Sequence, residues 1–324
     1  MENFNEYNRP FIMQRADPYL YKGPDGKYYF TASVPEYDRI ALRSADSIKE
    51  LPAAEEKVLW RWHEKGPMSQ HIWAPEIHCI DGEWYIYFAA SEKEDIWKLR
   101  PYILHCTGPD PMQDPWEEKG QIERSDDDEF SFMDFSLDAT TFTNGEDRYY
   151  VWAEKVGTGK KISNLYIARM ESPTKLATSQ VLLTTPDYDW ERRGFWVNEG
   201  PAVLKTGDKL FLTYSASDTG ENYCMGMMSI SKDADLLDPR AWKKERYPVF
   251  KSDPEKSLFG PGHNSFVKAE DGTDLCVFHA RTYSEIVGDP LYDPNRHAML
   301  MKVEYDEKGF PVFSIDNVIK VTES

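Results

Sequence analysis

The sequence predicts an all-β fold built as a single five-bladed β-propeller. Three observations carry this: short aromatic strands behind tight-turn signals, no helical periodicity over more than about ten residues, and a segment that recurs about every 60 residues. The strand runs are KYYFTA (27–32), EWYIYFA (83–89), RYYVWA (148–153), KLFLTYS (209–215) and DLCVFHA (274–280). Their aromatic and β-branched side chains suit a pleated, half-buried surface. Each run follows a turn signal: PDG at 24–26, DG at 81–82, NGED at 144–147, TGD at 206–208 and EDGT at 270–273. Gly, Asn and Asp accept the positive φ that hairpin turns require.

Each hairpin is preceded by a short polar or proline-containing segment that starts a strand. With Asp17, Pro75, Asp138, Glu199 and His263 as anchors, the steps are 58, 63, 61 and 64 residues, so five units exhaust a 324-residue chain. A unit of this size with four or so strands is a propeller blade, and five of them close a ring. The prediction is one domain over 1–324, with blades near 11–70, 71–130, 131–195, 196–258 and 259–318. No linker or low-complexity stretch divides it.

Composition narrows the function. Hydrophobic residues at 40% and charged residues at 29% describe a globular chain rather than a disordered one. A net charge of −18 without a basic cluster argues against nucleic acid, whose phosphates this field repels. No apolar run approaches the ~20 residues of a membrane-spanning helix. The start, MENFNEYNRPFIMQ, lacks the basic-then-apolar layout of a signal peptide, and Cys79, Cys106, Cys224 and Cys276 form no CxxC pair. The expectation is buried reduced thiols in a cytoplasmic chain, or a secreted one if a leader has been removed.

In a propeller the innermost strand of every blade lines the central channel, so the five anchors converge on one end of the axis. Three of them, Asp17, Asp138 and Glu199, carry carboxylates, and a fourth is His263. Neutral residues would pack an axis at less cost than charges. Carboxylates in an aromatic pocket are what glycoside hydrolysis needs. One protonated carboxyl supplies the leaving oxygen with its proton, a second acts on the opposite face of the sugar, and a third keeps the acid protonated.

The motifs RADP (15–18), HIWAPE (71–76), SLDAT (136–140), NEGP (198–201) and GPGHN (260–264) together resemble glycoside hydrolase family 43, and the resemblance covers essentially the whole chain. It implies a five-bladed propeller and an inverting mechanism. It also implies Asp17 as general base, Glu199 as general acid and Asp138 as the carboxylate that tunes and orients that acid. By the same resemblance His263 approaches one structural calcium or other ion on the axis, usually through water, and no organic cofactor is involved. Calcium prefers oxygen donors, which suits a lone imidazole to contact through water.

The resemblance further implies an exo-acting enzyme that releases terminal α-L-arabinofuranose from arabinan or arabinoxylan-type hemicellulose, with an arabinose- or xylose-containing saccharide as its partner. The alternatives are a β-xylosidase or bifunctional xylosidase/arabinofuranosidase, an endo-arabinanase, and a non-catalytic sugar-binding propeller. Trp73 is expected as a wall of the sugar pocket, and Arg281 as a planar donor to sugar hydroxyls. Trp60, Trp62 and the segment 187–196 are expected to wall one end of a groove. His71, His78 and His279 read as structural, and Asp126 to Glu129 as a solvated acidic loop rather than a metal site.

Overall fold

The structure, a computed structural model, describes residues 4–156 and 161–319. Among these residues the main strands form five antiparallel sheets, each following the last along the chain. Blade 1 uses Ala16–Lys22, Tyr28–Ser33, Arg39–Ala45 and Lys57–Arg61, and blade 2 uses Gln70–Ile80, Glu83–Glu92, Asp95–Cys106 and Trp116–Gln121. Blade 3 runs Ser136–Asn144, Asp147–Val156 and Ile162–Ser172, with Lys175–Leu176 and Val181–Thr184 sharing its outer edge. Blade 4 holds Asn198–Thr206, Lys209–Ala216, Cys224–Ser231 and Lys243–Lys244, and blade 5 holds Phe259–Lys268, Asp274–Arg281 and His297–Lys302. Helical structure in the described residues is confined to short 3-10 turns, the longest being Ile48–Ala53. Gly26, Gly82, Gly145, Gly207 and Gly272, the glycines of the five turn signals, all have positive φ.

The second strand of every blade explains why these sequences stack as a ring. Its alternate side chains point to opposite faces, and each face meets a different neighbour. In blade 1, Tyr28 and Phe30 pack with Val277 and Leu300 of blade 5, while Tyr29 packs with Trp84 and Ile86 of blade 2. In blade 2, Tyr87 faces Tyr150 and Trp152 of blade 3, whose own Val151 and Ala153 turn towards Leu212 and Tyr214 of blade 4. Phe211 of blade 4 then packs with Phe278 and Met299 of blade 5. Five buried clusters thus fill five interfaces. Both faces are apolar because a blade has no solvent side, and burial of each such aromatic contributes about 1.5–3 kcal/mol.

The ring is closed by the N-terminal segment. Phe11 and Ile12 lie against the third strand of blade 5, where Phe11 and Ile12 N–H donate to the Ala298 carbonyl (2.8 and 3.2 Å) and Ala298 N–H returns to Ile12 (2.9 Å). Cys79, Cys106, Cys224 and Cys276 are free thiols, three of them buried.

Two local expectations change. Trp60 and Trp62 pack against the core between blades 1 and 2, with the Trp60 indole donating to Glu118 (2.7 Å), so they wall no groove. In the 126–129 loop Asp128 is buried and accepts the backbone N–H groups of Phe130, Ser131 and Gln180, a turn carboxylate rather than a solvated one.

Candidate active site

The inner strand of each blade carries the same irregularity. Asp17, Ala74, Asp138, Gly200 and His263 adopt positive φ (51°, 47°, 52°, 55° and 43°), each at or beside a register break against the second strand. Four of these residues are not glycine, and the left-handed region is unfavourable for them. Such bulges re-aim side chains. Here they bring Asp17, Asp138, Glu199 and His263 to one pocket of about 350 Å³, together with Trp73.

Neighbouring blades hold the bulges in place. In three cases a side chain at the end of one blade's second strand accepts the backbone N–H of the left-handed residue in the next blade. Ser33 Oγ takes Ala74 N–H (2.8 Å), Ser215 Oγ takes His263 N–H (2.7 Å), and His279 Nδ1 takes Asp17 N–H (3.0 Å). His279, expected only to pack, is therefore a clamp on Asp17. Burial pushes its pKa down to about 3, so it is a neutral imidazole accepting through Nδ1.

Asp17 is nearly buried and crowded by donors and positive charge. Ser33 O–H donates to its Oδ2 (2.6 Å), His263 Nδ1 lies 3.2 Å from Oδ1, and Arg296 Nη1 lies 3.5 Å from the same oxygen. Burial works to raise its pKa, but His263 and then Arg296 outweigh it and hold the carboxyl well below the usual range. The opposite holds across the pocket. Burial, followed by the charges of Glu199 and Asp17, pushes Asp138 well above the carboxylate range, and burial also raises Glu199 against the hydrogen bond from Tyr223 and the charge of Lys155. Tyr223 O–H reaches Glu199 Oε1 at 2.9 Å. Asp138 and Glu199 titrate as a pair, and the pair retains a proton where Asp17 is ionised.

Trp73 lines the pocket as expected, stacked on His71 with ring centroids 4.3 Å apart. Arg281 does not reach it. Its guanidinium donates to the Thr219 and Pro290 carbonyls (2.7 and 2.6 Å) and meets Asp293 at 3.3 Å, so every nitrogen is committed to loop structure. The pocket's arginine is Arg296, which sequence reasoning missed. Arg296 precedes the third strand of blade 5 by one residue, and Tyr223 precedes that of blade 4 by one residue. The repeats give no signal for either, since the same position holds Asp38, Glu94 and Lys161 in blades 1 to 3, none of which lines the pocket. Lys155, whose Nζ lies 3.8 Å over the Phe135 ring, also lines the pocket.

Two buried donors on the wall, Trp73 Nε1 and Arg296 Nε, have no partner among the described residues. The segment 187–196 contributes Phe195 to the rim, with Trp97 and Leu291 nearby. His71 bonds the Ile96 carbonyl and Tyr292, and His78 bonds Glu76, so both serve structure. His263 sits with Nδ1 3.7 Å from Asp138 as well as beside Asp17, and no group of three or more His, Cys, Asp or Glu side chains is arranged to hold a metal among the described residues. An all-protein cage for an axial ion does not fit this donor set, which leaves water as the route by which His263 would meet one.

The chain matches the profile of Glycosyl hydrolases family 43 over residues 7–311. It is 46% identical over 310 residues to an extracellular exo-alpha-(1->5)-L-arabinofuranosidase of Streptomyces avermitilis, covering 95% of this chain and 63% of that protein. It is 47% identical to a protein of the same name from Streptomyces chartreusis, covering 88% of this chain and 85% of that one. A crystal structure of an alpha-L-arabinofuranosidase from Lactobacillus brevis shares 51% identity and a TM-score of 0.89, over 94% of this chain and 95% of that one. The two extracellular relatives lend no support to a cytoplasmic location. With its five-bladed ring, its three axial carboxyls and this match across the chain, the protein belongs to glycosyl hydrolases family 43.

Proposed function

We propose that this chain is an inverting, exo-acting α-L-arabinofuranosidase that removes terminal arabinofuranose from arabinan or arabinoxylan-type polymers. The observation that carries the reading is that three blades bring the carboxyls of Asp17, Asp138 and Glu199 to one pocket, in surroundings that lower the pKa of Asp17 and raise those of Asp138 and Glu199. Asp17 is the base that activates water, with Ser33 and Arg296 fixing its carboxylate. Glu199 is the acid that protonates the leaving oxygen, and Asp138 keeps that proton in the pair.

A pocket of about 350 Å³ is at the small end for ligand sites and suits a terminal unit better than the middle of a chain. The relatives named for arabinofuranosidase activity support the same glycone, and those named extracellular support a secreted site of action. An axial ion, if the protein takes one, would be held largely by water with His263 as a contact.

The test is sugar release from linear arabinan, arabinoxylan and the aryl arabinofuranoside and xyloside, followed by chromatography and by proton NMR of the first product. The expected outcome is arabinose alone, released from chain ends with its anomeric configuration opposite to the substrate's. Oligosaccharides from internal cleavage, or a covalent glycosyl adduct on Asp17, would overturn it.

A further inference from the structure

Tyr37 stands in the connection between the second and third strands of blade 1, buried with 5% of its surface exposed and in the left-handed region at φ 53°. We propose that it is a positioning residue for the reaction proposed above, one that holds Arg296 against Asp17 through its phenolic oxygen. The inference rests on Asp17 being the base of that reaction.

The backbone is fixed first. Tyr37 N–H donates to the Val34 carbonyl, and the Tyr37 carbonyl accepts Ile72 N–H from the inner strand of blade 2, both at 3.0 Å. A left-handed residue other than glycine is costly and persists only where its surroundings over-determine it. Here it turns the ring onto blade 2, edge-on to Trp73 with centroids 5.5 Å apart and to His71 at 6.3 Å. The hydroxyl then reaches the loop before the third strand of blade 5, so one side chain spans three blades.

That hydroxyl has a single possible polarity. The Leu291 carbonyl can only accept and the Arg296 guanidinium can only donate. The phenol therefore gives its proton to Leu291 and receives Arg296 Nη2 at 2.6 Å. Leu291 is a firm anchor, because its turn is also pinned by Arg281 on the Pro290 carbonyl (2.6 Å) and by His71 at the Tyr292 hydroxyl (3.1 Å). Arg296 has little else to hold it. Nη1 lies 3.5 Å from Asp17, long for a hydrogen bond, and Nε has no partner among the described residues. The guanidinium acts on Asp17 as a nearby charge, and Tyr37 sets its distance.

The sign of the effect follows. Arg296 lowers the Asp17 pKa, and the other titratable groups about that carboxyl, His263, His279, Asp138 and Glu199, make no hydrogen bond to Tyr37. A guanidinium without its acceptor is held less firmly beside Asp17, so the Asp17 pKa rises.

The experiment is a double-mutant cycle in the full chain: wild type, Tyr37→Phe, Arg296→Met and the double variant. For each, kcat/KM for the aryl arabinofuranoside is followed across pH, below the lowest melting temperature of the four. Tyr37→Phe keeps the ring on Trp73 and removes only the hydroxyl. The expected result is kcat/KM about tenfold lower at the optimum, the scale of one hydrogen bond from a charged donor. The acid limb moves towards neutrality, as in Arg296→Met, and adding Tyr37→Phe to Arg296→Met moves it no further. An acid limb that Tyr37→Phe leaves in place, whatever the change in Tm, would overturn the proposal, as would an equal shift in both backgrounds. A wild type inactive on arabinofuranosides but active on another glycoside would overturn the underlying reading instead, and the same cycle on that glycoside would still decide whether Tyr37 acts through Arg296.

Discussion

Tyr223→Phe isolates the control of Glu199, the proposed acid. The Tyr223 hydroxyl donates to Glu199 Oε1 at 2.9 Å, and the bond favours the ionised carboxylate, acting against the burial that raises the Glu199 pKa. Removal of the hydroxyl leaves the ring stacked on His279 with an interplanar angle of 12°, so the packing survives. A hydrogen bond to a charged group contributes about 1.5–3 kcal/mol, and one pKa unit corresponds to about 1.36 kcal/mol. The alkaline limb of the activity profile, where the Asp138–Glu199 pair loses its proton, should therefore move up by roughly one to two pH units. On the proposed assignment the acid limb belongs to Asp17 and should stay where it is. The assay is kcat/KM for an aryl arabinofuranoside across pH, which reports the free enzyme. An alkaline limb that fails to move, or moves to lower pH, would refute both the role of the hydroxyl and the assignment of that limb to the pair.

Arg296→Met removes a positive charge 3.5 Å from Asp17, so the Asp17 pKa rises and the acid limb moves towards neutrality; an unmoved acid limb in the same pH profile would detach Arg296 from the base. Glu199→Ala should slow hydrolysis of arabino-oligosaccharides by ~10²–10⁴-fold and spare aryl substrates, whose leaving groups need less protonation. Equal losses on the two substrate types would count against Glu199 as acid. Phe278→Ala, in the buried interface between blades 4 and 5, should lower unfolding stability by about 3–5 kcal/mol in a denaturant titration; a loss under 1 kcal/mol would mean that the interface repacks. Chelation should lower Tm and calcium restore it if His263 contacts an axial ion; no change in Tm or rate, with no metal by elemental analysis, leaves His263 as a hydrogen-bonding residue beside Asp17.

The fold was legible because the physics that builds a blade is local. An alternating run such as EWYIYFA states in its own letters that Trp84 and Ile86 face one neighbour and Tyr85 and Tyr87 the other. The anchors were legible because the chemistry-bearing residue of each repeat lies in the inner strand, so period alone aligns Asp17, Asp138, Glu199 and His263. The supporting residues were not. Arg281 and Arg296 flank the same loop of blade 5, and alternation does not say which of them reaches the pocket. The choice follows from that loop folding back, so that Pro290 and Asp293 consume the Arg281 donors. Ser33, Ser215 and His279 were hidden for a related reason. Their partners are backbone amides of the next blade, exposed only because a bulge turns those amides out of the ladder.

That arrangement makes the site a property of the closed ring rather than of any blade. Asp17 is held by His279 of blade 5 through its amide, lies 3.5 Å from Arg296 of blade 5, and shares Ser33 with the bulge of blade 2. The segment leading into it is pinned at Ile12 to Ala298 and at Gln14, whose N–H donates to His297 Nδ1 at 2.9 Å. Asp17, the proposed base, is therefore placed against Arg296 by the same contacts that join the first blade to the last. A ring whose N-terminal joint opens would keep its strands and its five carboxylate-bearing or histidine-bearing anchor segments in sequence, yet lose the charge that keeps Asp17 ionised. With Asp17 as the proposed base, closure of the propeller and assembly of the site are one event.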